Sequence, residues 1–447
     1  MSKYRSIVAQ LADQIRSGKL SPGSRLPAQR QLAAQLGVDL TTVTRAYTEL
    51  KRMGLVEGRT GSGSFVRGAR SPSAAPASDP AGFDLSMNVP PRPAGLGGRI
   101  VQGLAALLAA PEGAASLGYQ PSGGAVAERA AAASWLGRRL GTVAADRVVV
   151  AAGAQSALFA LLDLLLGRGD TLACAGLTYT GMRATAAHLG LRLAGLAHDG
   201  EGIDPQAFED LCRTAPPRAL YLVPTIANPT TATLPSERRQ AIAATARRHG
   251  VAMIEDDAYG ALPEESPPPI AALAPEITWH VASLSKCATP ALRIAYVAAP
   301  DAAAALRLTG GLRAISLMAS PLTAGLATRW IGDGTLDALT AAIRAENQAR
   351  QRLAASLLPA GAVAAHPDGN HLWLTLPPGW TTAGFTAAAR DSGLLVVPAE
   401  IFDVTGAPPR AVRLSLGGVP DRAGLERALA RLSGLLAWPG ASGAAIV

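Results

Sequence analysis

At 447 residues the chain is too long for one small core, and two or three domains are expected. Its hydrophobic fraction of 49% leans on Ala; it has no apolar signal core at the N-terminus and no uncharged apolar run of about 18 residues, which argues against secretion and membrane spanning. The formal net charge of +8 sits entirely in residues 1–70, which carry 12 Lys/Arg against 4 Asp/Glu, while residues 71–447 carry 29 of each sign.

A basic head on a neutral body is the asymmetry of a nucleic-acid-binding module. The three cysteines, Cys174, Cys212 and Cys287, show neither pairing nor metal-ligand spacing, which suits a reducing cytoplasm.

In chain order, Ile7, Leu11 and Ile15 fall four apart and predict an amphipathic helix over 4–17, stopped by Gly18. "PAQRQLAAQLG" (27–37) predicts a second helix opened by Pro27 and closed by Gly37. Asp39 is placed to cap a third, in which Leu40, Val43, Tyr47, Leu50 and Met53 form the apolar stripe and Thr41, Thr42 and Arg45 the opposite face. "LVEGRTGSGSFV" (55–66) predicts two short strands around a Gly/Ser turn. Three helices and a basic hairpin make a winged helix-turn-helix, with the third helix placed for the major groove of double-stranded DNA. This head is expected over residues 1–67, and the Pro/Ser/Ala-rich stretch that follows predicts a flexible linker over 68–83.

Residues 84–447 form the body. From about residue 146, apolar runs such as "RVVVAAG", "ALYLVPT", "VAMIEDD" and "WHVASLSK" alternate with helical stretches. That pattern predicts an α/β fold with a mostly parallel, doubly wound sheet. Strands between helices in the last third predict a smaller α+β subdomain over approximately 335–447. The chain has four lysines, Lys3, Lys19, Lys51 and Lys286, so after residue 51 the only one is in "SLSK" (283–286). Arginine cannot give up its proton in a protein, whereas lysine can become a neutral amine.

A lysine at a strand end, with Asp256, Asn228 and Tyr259 at neighbouring strand ends, suits an aldehyde cofactor such as pyridoxal 5'-phosphate. The amine bonds the aldehyde, the aspartate faces the ring nitrogen, and Asn and Tyr reach the phenolic oxygen. The small-residue turn into "AAGAQSALFALLDLLL", with Ser283, Ser285 and Arg293, would take the phosphate. Taken singly, a solvated lysine and an "EDD" metal site or helix cap are alternatives that the spacing leaves open.

The stretch from Gly18 to Val66 resembles GntR-type DNA-binding domains, which implies that Arg25, Arg30, Thr41, Thr42, Arg45, Gly61 and Gly63 lie at the DNA. From residue 84 onward the chain resembles fold-type I aminotransferases, and the two together resemble the MocR-type regulators. That resemblance implies Lys286 as the Schiff-base lysine, Asp256 as partner of the pyridine nitrogen, and Tyr259 and Asn228 as donors to the phenolic oxygen. It also implies Gly153, Ala154 and Gln155 as the phosphate turn, Ser283, Ser285 and Arg293 as further phosphate contacts, and Tyr179 stacked on the ring. Tyr119 would reach the phosphate across the interface of a homodimer, and Arg413 would clamp the carboxylate of an amino-compound effector or substrate. The chain departs from the pattern where Leu177 stands before "TYTG" in place of Pro, and where Thr231 follows "NPT" in place of Gly.

Three readings follow. One is a cytoplasmic transcription regulator that senses pyridoxal 5'-phosphate or an amino compound through Lys286. The second is an aminotransferase with an accessory DNA-binding domain. The third is a DNA-binding protein whose body only dimerises, and the single body lysine argues against it.

Overall fold

The computed structural model describes residues 3–16, 20, 24, 26–52, 56–59, 63–66, 82–111, 113 and 117–437. It divides into two compact units, Met1–Asp79 and Pro80–Val447. Arg25, Gly61, Met53 and the expected linker up to residue 81 lie outside the described residues.

In the first unit, α1 (Lys3–Arg16), α2 (Gln29–Leu36) and α3 (Leu40–Arg52) precede a hairpin of β1 (Val56–Arg59) and β2 (Gly63–Val66), paired from Val56↔Val66 to Arg59↔Gly63. The expected stripe on α3 buries Val43, Tyr47 and Leu50, with Ala46 beside them, against Ile7 and Leu11 of α1 and Leu32 of α2. Leu40, at the exposed first turn, does not join it. The second helix starts at Gln29 and not at Pro27, because Ala28 stays extended as its cap and the Pro27 carbonyl accepts from the Tyr47 hydroxyl at 2.8 Å. Gly37, at φ +57°, makes the left-handed turn between α2 and α3 that a side chain would strain.

The second unit opens with β3 (Phe83–Asp84), α4 (Leu96–Ala109) and α5 (Val126–Leu140), then β4 (Val148–Ala151), α6 (Ala154–Leu165), β5 (Thr171–Ala175), α7 (Thr180–Leu189) and β6 (Arg192–Leu196). A short hairpin, β7 (His198–Asp199) and β8 (Gly202–Ile203), leads to α8 (Pro205–Thr214), β9 (Ala219–Leu222), α9 (Ser236–His249), β10 (Ala252–Asp256), α10 (Ile270–Leu273), β11 (Thr278–Ser283), β12 (Ala295–Ala298), α11 (Ala302–Ser316) and α12 (Pro321–Gly332). The central sheet has the order β4-β12-β11-β10-β9-β5-β6. All its strands run one way except β12, which is antiparallel to both β4 and β11. Alternation along β4 sends Val148 and Val150 into one core and Val149 and Ala151 into the other, so helices cover both faces.

The last third of the chain contains α13 (Thr335–Leu357), β13 (Val363–Ala365), β14 (His371–Thr375), α14 (Thr382–Asp391), β15 (Leu394–Leu395), β16 (Val397–Pro398), β17 (Ala411–Ser415) and α15 (Arg422–Ala437). Its antiparallel sheet has the order β13-β14-β17-β16. Phe83, expected to end the linker, instead pairs with Leu394 as part of β3, and Leu85 is fully buried among Leu372, Leu414 and Phe385. The smaller core therefore draws on residues 83–85 as well as the last third of the chain. A two-residue strand is too short to announce itself by periodicity.

Candidate functional site

The parallel strands end on one side of the sheet, and the loops leaving them set the candidate residues around one cavity. Gly153 holds φ +88° between β4 and α6, and a side chain there would press on the Arg293 guanidinium. The glycine is what lets that cation approach the start of the helix. Tyr179 precedes α7, Asn228 follows β9, Asp256 ends β10, Ser283 ends β11 and Lys286 lies three residues further on, while Arg413 comes from β17. The cavity has a volume of about 500 Å³, and Ala154, Gln155, Tyr179, Asn228, Asp256, Tyr259, Ser283, Ser285, Lys286, Arg293 and Arg413 all line it.

Burial sets the charge states. Asp256 Oδ2 accepts from the Tyr221 hydroxyl at 2.8 Å, while Oδ1 has no partner among the described residues. Burial pushes this carboxyl up to about 6, with Tyr221 opposing and the Asp257 charge adding to the rise. Lys286 is brought down to about 8 by burial and then by the Arg413 charge, with Asp256 opposing. An amine in that range is partly neutral at pH 7 and can act as a nucleophile. Burial pushes the Tyr259 phenol up, so it keeps its proton; its oxygen accepts from Asn88 Nδ2 at 2.8 Å.

Arg413 is buried over the Phe402 ring at 5.2 Å and donates through Nη1 to Asn228 Oδ1 at 3.1 Å. Its Nη2 donates to the Ser86 carbonyl, and Lys286 Nζ donates to the Asn88 carbonyl. Arg413 and Lys286 are thus both held by one short segment after β3. In the same cavity, Arg293, the Ser283 and Ser285 hydroxyls and the first turn of α6 make a surface for an anion. The Gln155 amide donates to Gly181 O at 3.2 Å and Thr185 Oγ1 at 2.9 Å, which ties α6 to α7.

Tyr119 is 85% exposed and does not line this cavity. Ser86, Asn88 and Tyr221 had no sequence signal for the site: the first two hold Arg413 and Lys286 through backbone carbonyls that any residue supplies, the Asn88 side chain adds its bond to Tyr259, and Tyr221 lies within an apolar strand. The three cysteines are buried free thiols, with burial raising Cys174 and Cys287 to about 12. His280 is buried between Glu255, at 3.0 Å, and Asp257, at 3.6 Å.

In the first unit, Asp39 Oδ1 caps α3 by accepting from Thr41 N at 2.8 Å and the Thr41 hydroxyl at 2.5 Å. Those two bonds hold its carboxyl below the usual range. Arg30, Thr41 and Arg45 are exposed and Thr42 is half-buried. The Arg45 guanidinium lies 4.5 Å from the Tyr4 ring centroid, which sets its direction. Gly63 opens β2, and Leu26 N bonds Ser64 O at 2.8 Å, fixing the hairpin to the lead-in of α2.

Comparison with known proteins matches residues 81–432 to the model for aminotransferase class I and II and residues 3–66 to the model for bacterial regulatory proteins of the gntR family. The chain is 29% identical over 436 residues to the HTH-type transcriptional regulator YdeF of Bacillus subtilis, covering 97% of this chain and 94% of that one. It is 30% identical over 419 residues to the vitamin B6 salvage pathway transcriptional repressor PtsJ of Salmonella typhimurium, with 93% and 94% covered. Among solved structures it is similar to the α-aminoadipate aminotransferase LysN of Thermus thermophilus in complex with N-(5'-phosphopyridoxyl)-L-leucine, at TM-score 0.72 and 25% identity over 80% of this chain and 92% of that one.

Proposed function

The chain belongs to the aminotransferase class I and II family and carries a gntR-family head, the MocR-type arrangement; on that premise we propose that it is a transcriptional regulator whose head binds DNA and whose body holds pyridoxal 5'-phosphate and senses an amino compound. The observation that carries this is the convergence of Lys286, Asp256 and Arg413 on one cavity in a chain that begins with a winged helix-turn-helix.

The residues fit the cofactor. A cavity of about 500 Å³ lies within the ordinary range for such ligands, and Asp256 Oδ1 is a buried acceptor that lacks a donor among the described residues. When bound, the cofactor supplies an aldehyde carbon open to amines and a ring that draws electrons from it. Lys286 would hold that carbon, Asp256 the ring nitrogen, Tyr259 and Asn228 the phenolic oxygen, and Tyr179 one face of the ring. Arg293, Ser283, Ser285 and the turn Gly153-Ala154-Gln155 would hold the phosphate, and Tyr119 of a second copy would reach it in a homodimer. Arg413 would take a carboxylate of the sensed compound in bidentate fashion.

An amino acid entering the site would engage Arg413, and its amine would compete with Lys286 for the cofactor. Regulation follows if the two states bind DNA differently, since a ligand shifts an equilibrium only by its differential affinity. In the head, Thr41, Thr42 and Arg45 of α3 would read or grip the major groove, with Arg25, Arg30 and the wing glycines Gly61 and Gly63 along the backbone. PtsJ, named as a repressor of vitamin B6 salvage, supports this class of reading. No helix of the described residues is long and apolar enough to cross a membrane, and work on DNA together with free thiols suits the cytoplasm.

A second reading, an aminotransferase with a DNA-binding accessory, is favoured by the full set of Lys286, Asp256, Tyr259, Asn228 and Arg413 around one cavity. The absorbance spectrum of the purified protein separates the two. A visible band that an amino acid shifts, without keto acid accumulating when a second keto acid is present, supports the sensor. Catalytic keto-acid production supports the enzyme, and no band after adding pyridoxal phosphate removes both.

A further inference from the structure

β9 and β10 are parallel neighbours with Tyr221 opposite Ile254. Side chains alternate along a strand, so Asp256, two residues beyond Ile254, emerges on the same face as Tyr221. An aromatic arm spans that diagonal, and the hydroxyl meets Asp256 Oδ2 at 2.8 Å. Tyr221 is fully buried and is not among the cavity-lining residues. Its hydroxyl meets that cavity through the Asp256 carboxylate, which does line it.

We propose that Tyr221 is a positioning residue for the cofactor: its hydroxyl fixes Asp256 through Oδ2 and leaves Oδ1 open, so that Oδ1 would take the pyridine nitrogen. The inference rests on the body being a pyridoxal phosphate site. Its second consequence concerns charge. Asp256 is acted on by Tyr221 from β9, Asp257 from its own strand end, His280 from β11 and Lys286 beyond it, with Tyr179 and Tyr259 coupled to it from neighbouring loops. Burial and Asp257 favour the neutral acid, while Tyr221, Lys286 and His280 favour the carboxylate. Of these helpers, only Tyr221 hydrogen-bonds Asp256 directly among the described residues. Burial holds the Tyr221 phenol well above its ordinary range, so it remains a donor wherever the protein is folded. Removing it moves the protonation of Asp256 further upward, and the carboxylate that a pyridinium needs is then lost at higher pH.

A buried tyrosine needs a hydroxyl partner for structural reasons alone, so the test must read pH and not only loss. The probe is pyridoxamine 5'-phosphate, which binds without a covalent bond to Lys286, with its dissociation constant measured by equilibrium dialysis from pH 5 to 9 on the full chain. The ligand's own titrations are common to every variant, so differences between variants isolate Asp256. In Tyr221→Phe the fall in affinity on the acid side should move up by roughly one pH unit, with affinity above pH 8 within about threefold of wild type, the size expected for one hydrogen bond to a charged group. In Asp256→Asn, which cannot titrate, that acid-side fall should flatten, and this arm stands even if Tyr221→Phe fails to fold. A uniform loss at all pH values in Tyr221→Phe, or an unchanged profile in Asp256→Asn, overturns the proposal. If wild type binds neither pyridoxamine phosphate nor pyridoxal phosphate, the reading of the body has failed instead, and this inference falls with it.

Discussion

The two units hold their candidate residues in opposite ways. In the head, Arg30, Thr41 and Arg45 stand exposed on helices whose other faces make the core. In the body, Asp256, Asn228, Tyr259 and Arg413 are themselves buried, and packing shifts the protonation of Asp256, Tyr259 and Arg413. A surface reader keeps ordinary side chains and gains selectivity from where they point. A buried site gains reactivity from where the water is not, and its residues carry folding and function together.

The sharpest way to break this contrast is Lys286→Ala. The visible band of bound pyridoxal phosphate should vanish, while DNA binding by the ligand-free protein persists. Asp256→Asn comes next: cofactor affinity should fall by roughly ten- to a hundredfold, as for loss of a charge-assisted hydrogen bond, measured by dialysis. In the head, Arg45→Ala should lower affinity for a selected DNA site by about tenfold or more, leaving both the cofactor band and the thermal midpoint of the body unmoved. A shift of that band would contradict the separation of the two kinds of site.

A smaller effect is kinetic. With its pKa lowered to about 8, Lys286 is protonated below that value and neutral above it. Stopped-flow capture of pyridoxal phosphate should therefore speed up by about tenfold between pH 7 and 9 and then level off; continued rise to pH 10 would mean that burial does not perturb this amine. The smallest is Tyr47→Phe, which removes the hydroxyl bond to the Pro27 carbonyl. It should destabilise the head by about 1 kcal/mol, visible by calorimetry as a downward shift of the head's transition.

What was legible in advance follows the same division. Segregated charge and helix periodicity outlined the head because its pattern is local. In the body, Lys286 stood out against a chain that otherwise uses arginine, and the apolar runs placed Asp256 and Asn228 at strand ends. The reversed direction of β12 was not legible, because an apolar run carries no sign of its orientation. The pairing of Tyr221 with Asp256 was hidden for a related reason: it depends on the register of β9 against β10, and register is fixed by the folded sheet. The role of residues 83–88 was hidden most completely, since pairing and acceptance there run through the backbone.

That segment bears on how any ligand binds. The carbonyls of Ser86 and Asn88 are tethered acceptors for Arg413 and Lys286, present at an effective concentration that the chain itself fixes and that dilution cannot lower. A ligand taking either cation enters an exchange with an intramolecular competitor, and its measured affinity is the difference between two sets of bonds. Compounds that offer acceptors to both cations at once displace both carbonyls, whereas those that satisfy only one displace one. In either case the Asn88 side chain and the Leu85 backbone keep their own bonds.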